Sequence, residues 1–117
     1  MSEDVNSFLP LSPAILHILL ALAGEDRHGY GIMQEIVRQS EGQYRMGPGT
    51  LYDNLQKLLD HGMVEEAYRR THDDDPRRRY YRISPFGRKV LATEISRLEE
   101  VVRAAKAHLR LPSPRRA

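Results

Sequence analysis

Apolar positions fall into four stretches of helical period and two short stretches of strand-forming residues, each bounded by glycine, proline or serine. In "LSPAILHILLALAG", Ser12 stands as an N-cap, Pro13 occupies the first helical position where its missing N–H costs nothing, and Gly24 marks the stop. Ile15, Leu16, Ile18, Leu19, Leu20 and Leu22 surround most of the circumference, which predicts a central, largely buried helix. A second helix is expected from about Gly29 to Ser40, with Tyr30, Ile32, Met33, Ile36 and Val37 as its apolar stripe and Gln34, Glu35, Arg38 and Gln39 on the wet side. After the glycine-rich connector "EGQYRMGPG", a third runs from about Pro48 to Asp60 and stops at Gly62.

"MVEEAYRR" and "RRYYRIS" read as two strands of a β-hairpin, with the polar run "THDDDPR" as its turn. Ser84 and Pro85 then open a helix that continues to about Arg110. Along it Leu91, Ile95, Leu98, Val102, Ala105 and Leu109 are spaced four, three, four, three, four, the seam of a helix that pairs with another helix. The other account of that seam is a long helix folded back on its own domain; a homodimer is preferred, because three earlier helices already fill the core. The division expected is an arm over 1–10, a winged helix-turn-helix over 11–84, a dimerisation helix over 85–110 and a disordered basic tail over 111–117.

Composition narrows the classes. At 117 residues the chain has room for one modest core, and no apolar run approaches the ~20 residues that cross a bilayer. The acidic start "MSEDVNSFLP" lacks the order of an export signal, and the absence of cysteine excludes disulfides and thiolate metal sites, so a cytoplasmic location is expected. Net charge is only +2, from 18 basic and 16 acidic residues, and does not by itself point to nucleic acid. Its distribution does: six arginines fall between Arg69 and Arg82.

On the third helix Leu51, Leu55, Leu58 and Leu59 share one side, while Thr50, Asp53, Gln56 and Lys57 face away, with Tyr52 and Asn54 on the flanks. Alone, that outer face is an ordinary solvated one. Gly47 and Gly49 before it, however, let the helix N-terminus approach a phosphate, and Arg77, Arg78 and Arg79 follow beside Tyr80 and Tyr81. A short polar helix that fits a major groove, followed by a basic hairpin that clamps backbone or enters a minor groove, is a winged helix-turn-helix arrangement. The candidate contacts to double-stranded DNA are Tyr30, Arg45, Gly49, Thr50, Tyr52, Asp53, Asn54, Gln56, Lys57, Arg77, Arg78, Arg79 and Tyr80.

"HGYGIMQEI", "GPGTLYDNLQKLLDHGMVEE" and "RRRYYRISPFGRKVL", in this order and spacing, resemble the PadR family of transcriptional regulators from about Leu11 to the end of the last helix. The resemblance implies a dimeric winged-helix repressor on a palindromic operator, often responsive to a small molecule, with Tyr30, Thr50 and Tyr52 near the DNA backbone and Arg77 to Arg79 on the wing. Asp53 and Asn54 stand where many members carry proline and alanine, which bears on the bases read. With one C-terminal helix the chain is similar to the shorter branch, without a larger effector domain. An apolar pocket for a small apolar or aromatic effector is expected between the first helix and the partner's last helix, at Leu9, Leu16, Leu20, Leu98 and Val102, residues that core and dimer interface explain equally well.

Two other classes were weighed. For an enzyme, none of His17, His28, His61, His72 and His108 falls with a nucleophile or carboxylate at a spacing that assembles a triad or metal site, and no cofactor is expected. His17 reads as a core residue or pocket wall, and His28 as a polar contact at a helix start. "HDDD" lacks the length of a calcium loop and suits a hairpin tip, where Asp73 and Asp74 are expected to weaken non-specific DNA binding. A winged helix can also serve as a protein-interaction module; the arginine-rich wing and polar third helix favour DNA.

Overall fold

In a computed structural model of the chain, residues 4–68 and 78–110 are described. The turn "THDDDPR", Asp73, Asp74, Arg77 and the tail 111–117 lie outside them.

The punctuation sets the helix starts. Ser12 Oγ accepts from Ile15 N at 3.2 Å and opens α1, Pro13–Ala23. His28 Nδ1 accepts from Gly31 N at 3.1 Å and opens α2, Gly29–Gln39. Gly47 precedes α3, Pro48–Asp60, and offers no side-chain cap. Ser84 Oγ accepts from Gly87 N at 2.9 Å and opens α4, Pro85–Leu109. A 3-10 turn, Val5–Phe8, precedes α1.

The hairpin strands are β2, Val64–Ala67, and β3, Tyr80–Ile83. Here the structure adds to the expected pair: Arg27–His28, which we label β1, joins the other edge of β3 to give a three-stranded antiparallel sheet in the order β1-β3-β2. Arg27 lies opposite Tyr81, which in turn lies opposite Glu66. Two residues are too few to show an alternating pattern, so this strand exists only through its partners at Tyr80 and Tyr81, far along the chain.

The core lies where α1 crosses α2, α3 and α4. Ile18, Leu19, Leu22, Ile32, Ile36, Leu51, Leu55, Leu58 and Val90 are fully buried. The carbonyl end of α1 is held from two sides, by Arg27 Nε on Ala21 O at 2.8 Å and Arg88 Nη2 on Ala23 O at 2.9 Å. These contacts satisfy acceptors that a helix end leaves open. The N-terminal turn is strapped down as well: Phe8 meets His61 and Phe86 edge to face, at 5.2 and 5.8 Å between centroids.

Glu35 corrects the expected wet face of α2. It is buried against Arg27 and Arg38, with Arg38 Nε donating to Oε1 at 2.8 Å and Gln39 Nε2 to Oε2 at 2.9 Å. Glu94 on α4 is buried too, accepting from Leu11 N at 2.9 Å and from Arg97 Nε at 2.6 Å. The Arg97 hydrogen bond holds the Glu94 carboxyl below its usual range against the opposing effect of burial, with help from the Leu11 amide. The Arg38 hydrogen bond does the same for Glu35. A carboxyl lowered on folding adds stability that is fully present above its unfolded value of about 4.3 and is lost as pH falls through the folded one. Glu94→Gln is therefore expected to lower stability in denaturant titrations at pH 7, with its deficit against the parent narrowing through the acid range; an equal deficit at pH 7 and pH 3 would remove the carboxylate from the account.

Gly87 is a close-approach point. A Cβ added there would stand 2.1 Å from the Met63 carbonyl oxygen and 3.0 Å from Ile83 Cγ1. The backbone of the β2 entry cannot step aside cheaply, so Gly87→Ala is expected to cost about 1–3 kcal/mol through overpacking. A thermal melt checks it.

Candidate nucleic-acid interface

Fixing Leu51, Leu55 and Leu58 in the core leaves Thr50, Tyr52, Asp53, Gln56 and Lys57 of α3 exposed. Its first turn is open: Gly47, Pro48, Gly49 and Thr50 are all exposed, and no side chain caps it. A helix start in that state presents amide donors and the positive end of the helix dipole. Two of the amides on the outer face already have local partners. Asn54, half-buried, donates from Nδ2 to Thr50 O at 2.8 Å, and Gln56 donates from Nε2 to Asp60 Oδ1 at 2.9 Å. Both are exposed bonds within the helix, so either amide can exchange its local partner for a base edge.

Tyr30, on the apolar stripe expected of α2 and also among the candidate DNA contacts, stands 60% exposed. It divides two depressions. One, of about 710 Å3, runs between α2 and the connector and takes in Arg38, Arg45 and Gly47. The other, of about 290 Å3, lies where α2, α3 and β3 meet, and brings together His28, Tyr30, Tyr52, Arg78, Arg79 and Tyr81. Tyr52 reaches across from α3 until its hydroxyl rests on Gly29, where an added Cβ would come within 2.0 Å of it. Glycine at that position is what lets the ring lie there.

The wing root completes the cleft. Arg78 Nη1 lies 3.0 Å from His28 Nε2, and Arg79 pairs with Glu66 while its guanidinium carbon sits 5.8 Å from the Tyr81 ring centroid. Burial pushes the Tyr81 hydroxyl up from its ordinary value, against the opposing pull of the Arg79 guanidinium. Tyr80 was expected among the DNA contacts. It is 8% exposed and packs edge-on to His28, 5.2 Å between centroids, so it supports the cleft rather than facing a ligand. Sequence reasoning had placed His28 only as a polar contact at a helix start; its second role, beside Arg78, depends on strand pairing that no local pattern encodes.

The seam of α4 divides in the same way. Leu91 is in the core of its own domain, Ile95 packs against that core, and Leu98 is half-buried. Val102, Ala105 and Leu109 are exposed, and Val101 with them. Leu9, Leu16 and Leu20 are half-buried against the core, and Val102 is 50% exposed in the single chain. His17 is half-buried and stacks on Tyr44, 4.3 Å between ring centroids.

An α1–α2–α3 core with an open-ended third helix and a short antiparallel sheet behind it defines a winged helix-turn-helix. The chain matches the Transcriptional regulator PadR-like family over residues 15–93 and belongs to that family. It is accordingly a transcriptional regulator and not an enzyme. It is 39% identical to the transcriptional regulator Rv3488 of Mycobacterium tuberculosis over 88 residues, which is 75% of this chain and 78% of that one. A transcriptional regulator from Clostridium thermocellum shares the fold with a TM-score of 0.68 and 26% identity, over 92% of this chain and 96% of that one. PadR of Bacillus subtilis, solved in complex with operator DNA, aligns with a TM-score of 0.62 and 19% identity, over 74% of this chain and 48% of that one. Among the described residues no helix is long and apolar enough to cross a membrane.

Proposed function

We propose that the protein is a cytoplasmic, sequence-specific DNA-binding repressor that acts as a homodimer on a palindromic operator and is released by a small apolar or aromatic effector. The observation that carries this reading is the cleft at the junction of α2, α3 and β3, where Tyr30, Tyr52, Arg78, Arg79 and His28 converge beside the open first turn of α3. Hydroxyls, guanidinium groups and helix-start amides are the donors that hold phosphate oxygens, and they fix the register in which Asp53, Gln56 and Lys57 meet base edges. Arg45 extends the contact along the connector, and Arg77 is a further contact to the DNA. Residues 11–84 form the DNA-binding unit, and the outer half of α4 joins two copies.

Two-fold symmetry then sets half-sites roughly 10 base pairs apart. An effector held between α1 of one copy and α4 of the other, among Leu9, Leu16, Leu20, Leu98 and Val102, would change the angle between the two α3 helices.

An anisotropy titration against the protein's own upstream DNA and a scrambled control, over a salt series, tests the reading. Preferential binding that weakens with salt, and that is lost in Thr50→Ala with Tyr52→Ala or in Arg78→Ala, is expected. Equal, salt-independent binding to both DNAs by a folded dimer would turn the winged helix toward a protein partner.

A further inference from the structure

Two acids adjacent in β2, Glu65 and Glu66, face opposite ways. Glu66 stands opposite Tyr81 on the paired strand and Glu65 opposite Arg82, and successive side chains of a strand point to opposite faces. Glu65 Oε1 lies 3.9 Å from Arg82 Nη1, on the side of the sheet where Arg82 Nη2 also donates to Asp26 Oδ2 at 3.1 Å. Glu66 Oε2 instead accepts from Arg79 Nη2. The carbon of that guanidinium sits 5.8 Å from the Tyr81 ring centroid, and Arg79 and Tyr81 line the cleft together with Tyr30, Tyr52 and Arg78. One carboxylate of the wing is therefore directed at an arginine of the cleft, and its neighbour is directed away from it.

A guanidinium is a planar fork with five N–H donors. With Glu66 on one edge and the Tyr81 ring beside its carbon, Arg79 keeps donors for an acceptor brought to it in the cleft. A phosphate that passes elsewhere along the wing meets a guanidinium whose charge the carboxylate already offsets. Both side chains are exposed, and a pair of this kind contributes only about 0–1 kcal/mol to stability, so its effect falls on DNA rather than on the fold.

We infer that Glu66 is a positioning residue for Arg79 that separates operator from bulk DNA: it reserves the arginine for the phosphate seated in the cleft and withholds it from any other duplex. The inference rests on the DNA-binding reading above. On the wrong sequence α3 is not seated, no phosphate is held in the cleft, and the Arg79–Glu66 pair neutralises none. Without the carboxylate, Arg79 neutralises one phosphate of any duplex, which steepens the salt slope by about one and tightens non-specific binding about fivefold near 0.15 M salt. On the operator Arg79 already meets its phosphate. Lost positioning and lost repulsion oppose each other there, and affinity changes by less than about twofold.

The test titrates the full chain against its own upstream DNA and a scrambled duplex over a salt series, with a thermal melt to confirm that each variant is folded. Glu66→Gln is expected to gain about fivefold, with the steeper slope, on the scrambled duplex alone. Arg79→Gln is expected to weaken operator binding and leave the scrambled duplex almost unaffected, and the double variant to lose the gain. Glu65→Gln makes the same charge change on the other face and is expected to leave the ratio of the two affinities as it is in the parent. An equal gain on both duplexes, the same loss of discrimination in Glu65→Gln, or no gain on scrambled DNA would overturn the role of Glu66. A parent that binds the two duplexes alike would instead strike the DNA-binding reading, and 15N NMR of the Arg79 guanidinium then decides the hold by itself. Separate, slowly exchanging Nη signals in the parent that merge in Glu66→Gln are expected; merged signals in the parent would overturn it.

Discussion

In the proposed homodimer, Val102→Glu is expected to separate the two copies and to lower operator affinity by two orders of magnitude or more. Val101 and Val102 are each 50% exposed and Leu109 67%, on a helix whose first half is already committed to its own core. Val102 is half exposed and is not among the hydrophobic residues packed on the core, so the domain's stability should move by no more than about 0.5 kcal/mol. A carboxylate in an apolar seam, by contrast, has to be desolvated without a partner. Two linked half-site contacts exceed one by about 10²–10⁴ in affinity, and that factor is what the monomer forfeits. Analytical ultracentrifugation with an operator titration on the same sample reads both effects. A dimer that persists would move the interface off the outer half of α4.

Gly29→Ala is expected to weaken operator binding about tenfold while leaving the melting temperature almost unchanged. The new methyl would enter the space taken by the Tyr52 hydroxyl, 2.0 Å away, but that atom is the free end of a side chain and can swing out. The ring then leaves the cleft and its phosphate contact goes with it. Gly87→Ala meets a carbonyl oxygen of the main chain at nearly the same distance, and there the fold bears the cost. The two alanines therefore separate the site from the scaffold. Were Gly29→Ala to bind DNA as the parent does, the placement of Tyr52 on α2 would have no part in recognition.

How much of this was legible beforehand depends on the range of the forces involved. Serine and glycine before proline at 12–13, 47–48 and 84–85 act within one turn of chain, and all three helices begin where that punctuation put them. The buried leucines of α3 follow from a period of 3.6 and were equally plain. Residues whose surroundings come from distant segments were not. Glu35 and Glu94 look like surface acids until Arg27, Arg97 and the Leu11 amide are brought to them. Tyr80, expected among the DNA contacts, is buried instead, because only the pairing of β1 with β3 places His28 over it. The heptad spacing on α4 pointed to a seam between two helices from Leu91 onward, yet a spacing does not say which surface covers it, and Leu91 and Ile95 pack on their own core. Its upper half belongs to the domain that bears it.

A single residue, Ser84, separates the last strand of the wing from α4, and that serine is bonded to the main chain at Gly62 and Met63 as well as to the helix it opens. The junction leaves no hinge, so wing and helix move as one lever. For a helix of 25 residues, roughly 37 Å long, a tilt of about 5° shifts one end by roughly 3 Å relative to the other. That is close to the ~3.4 Å rise of one base pair along a strand. In a dimer joined at the far end of these levers, a few degrees between them is enough to carry each reading head from one base step to the next.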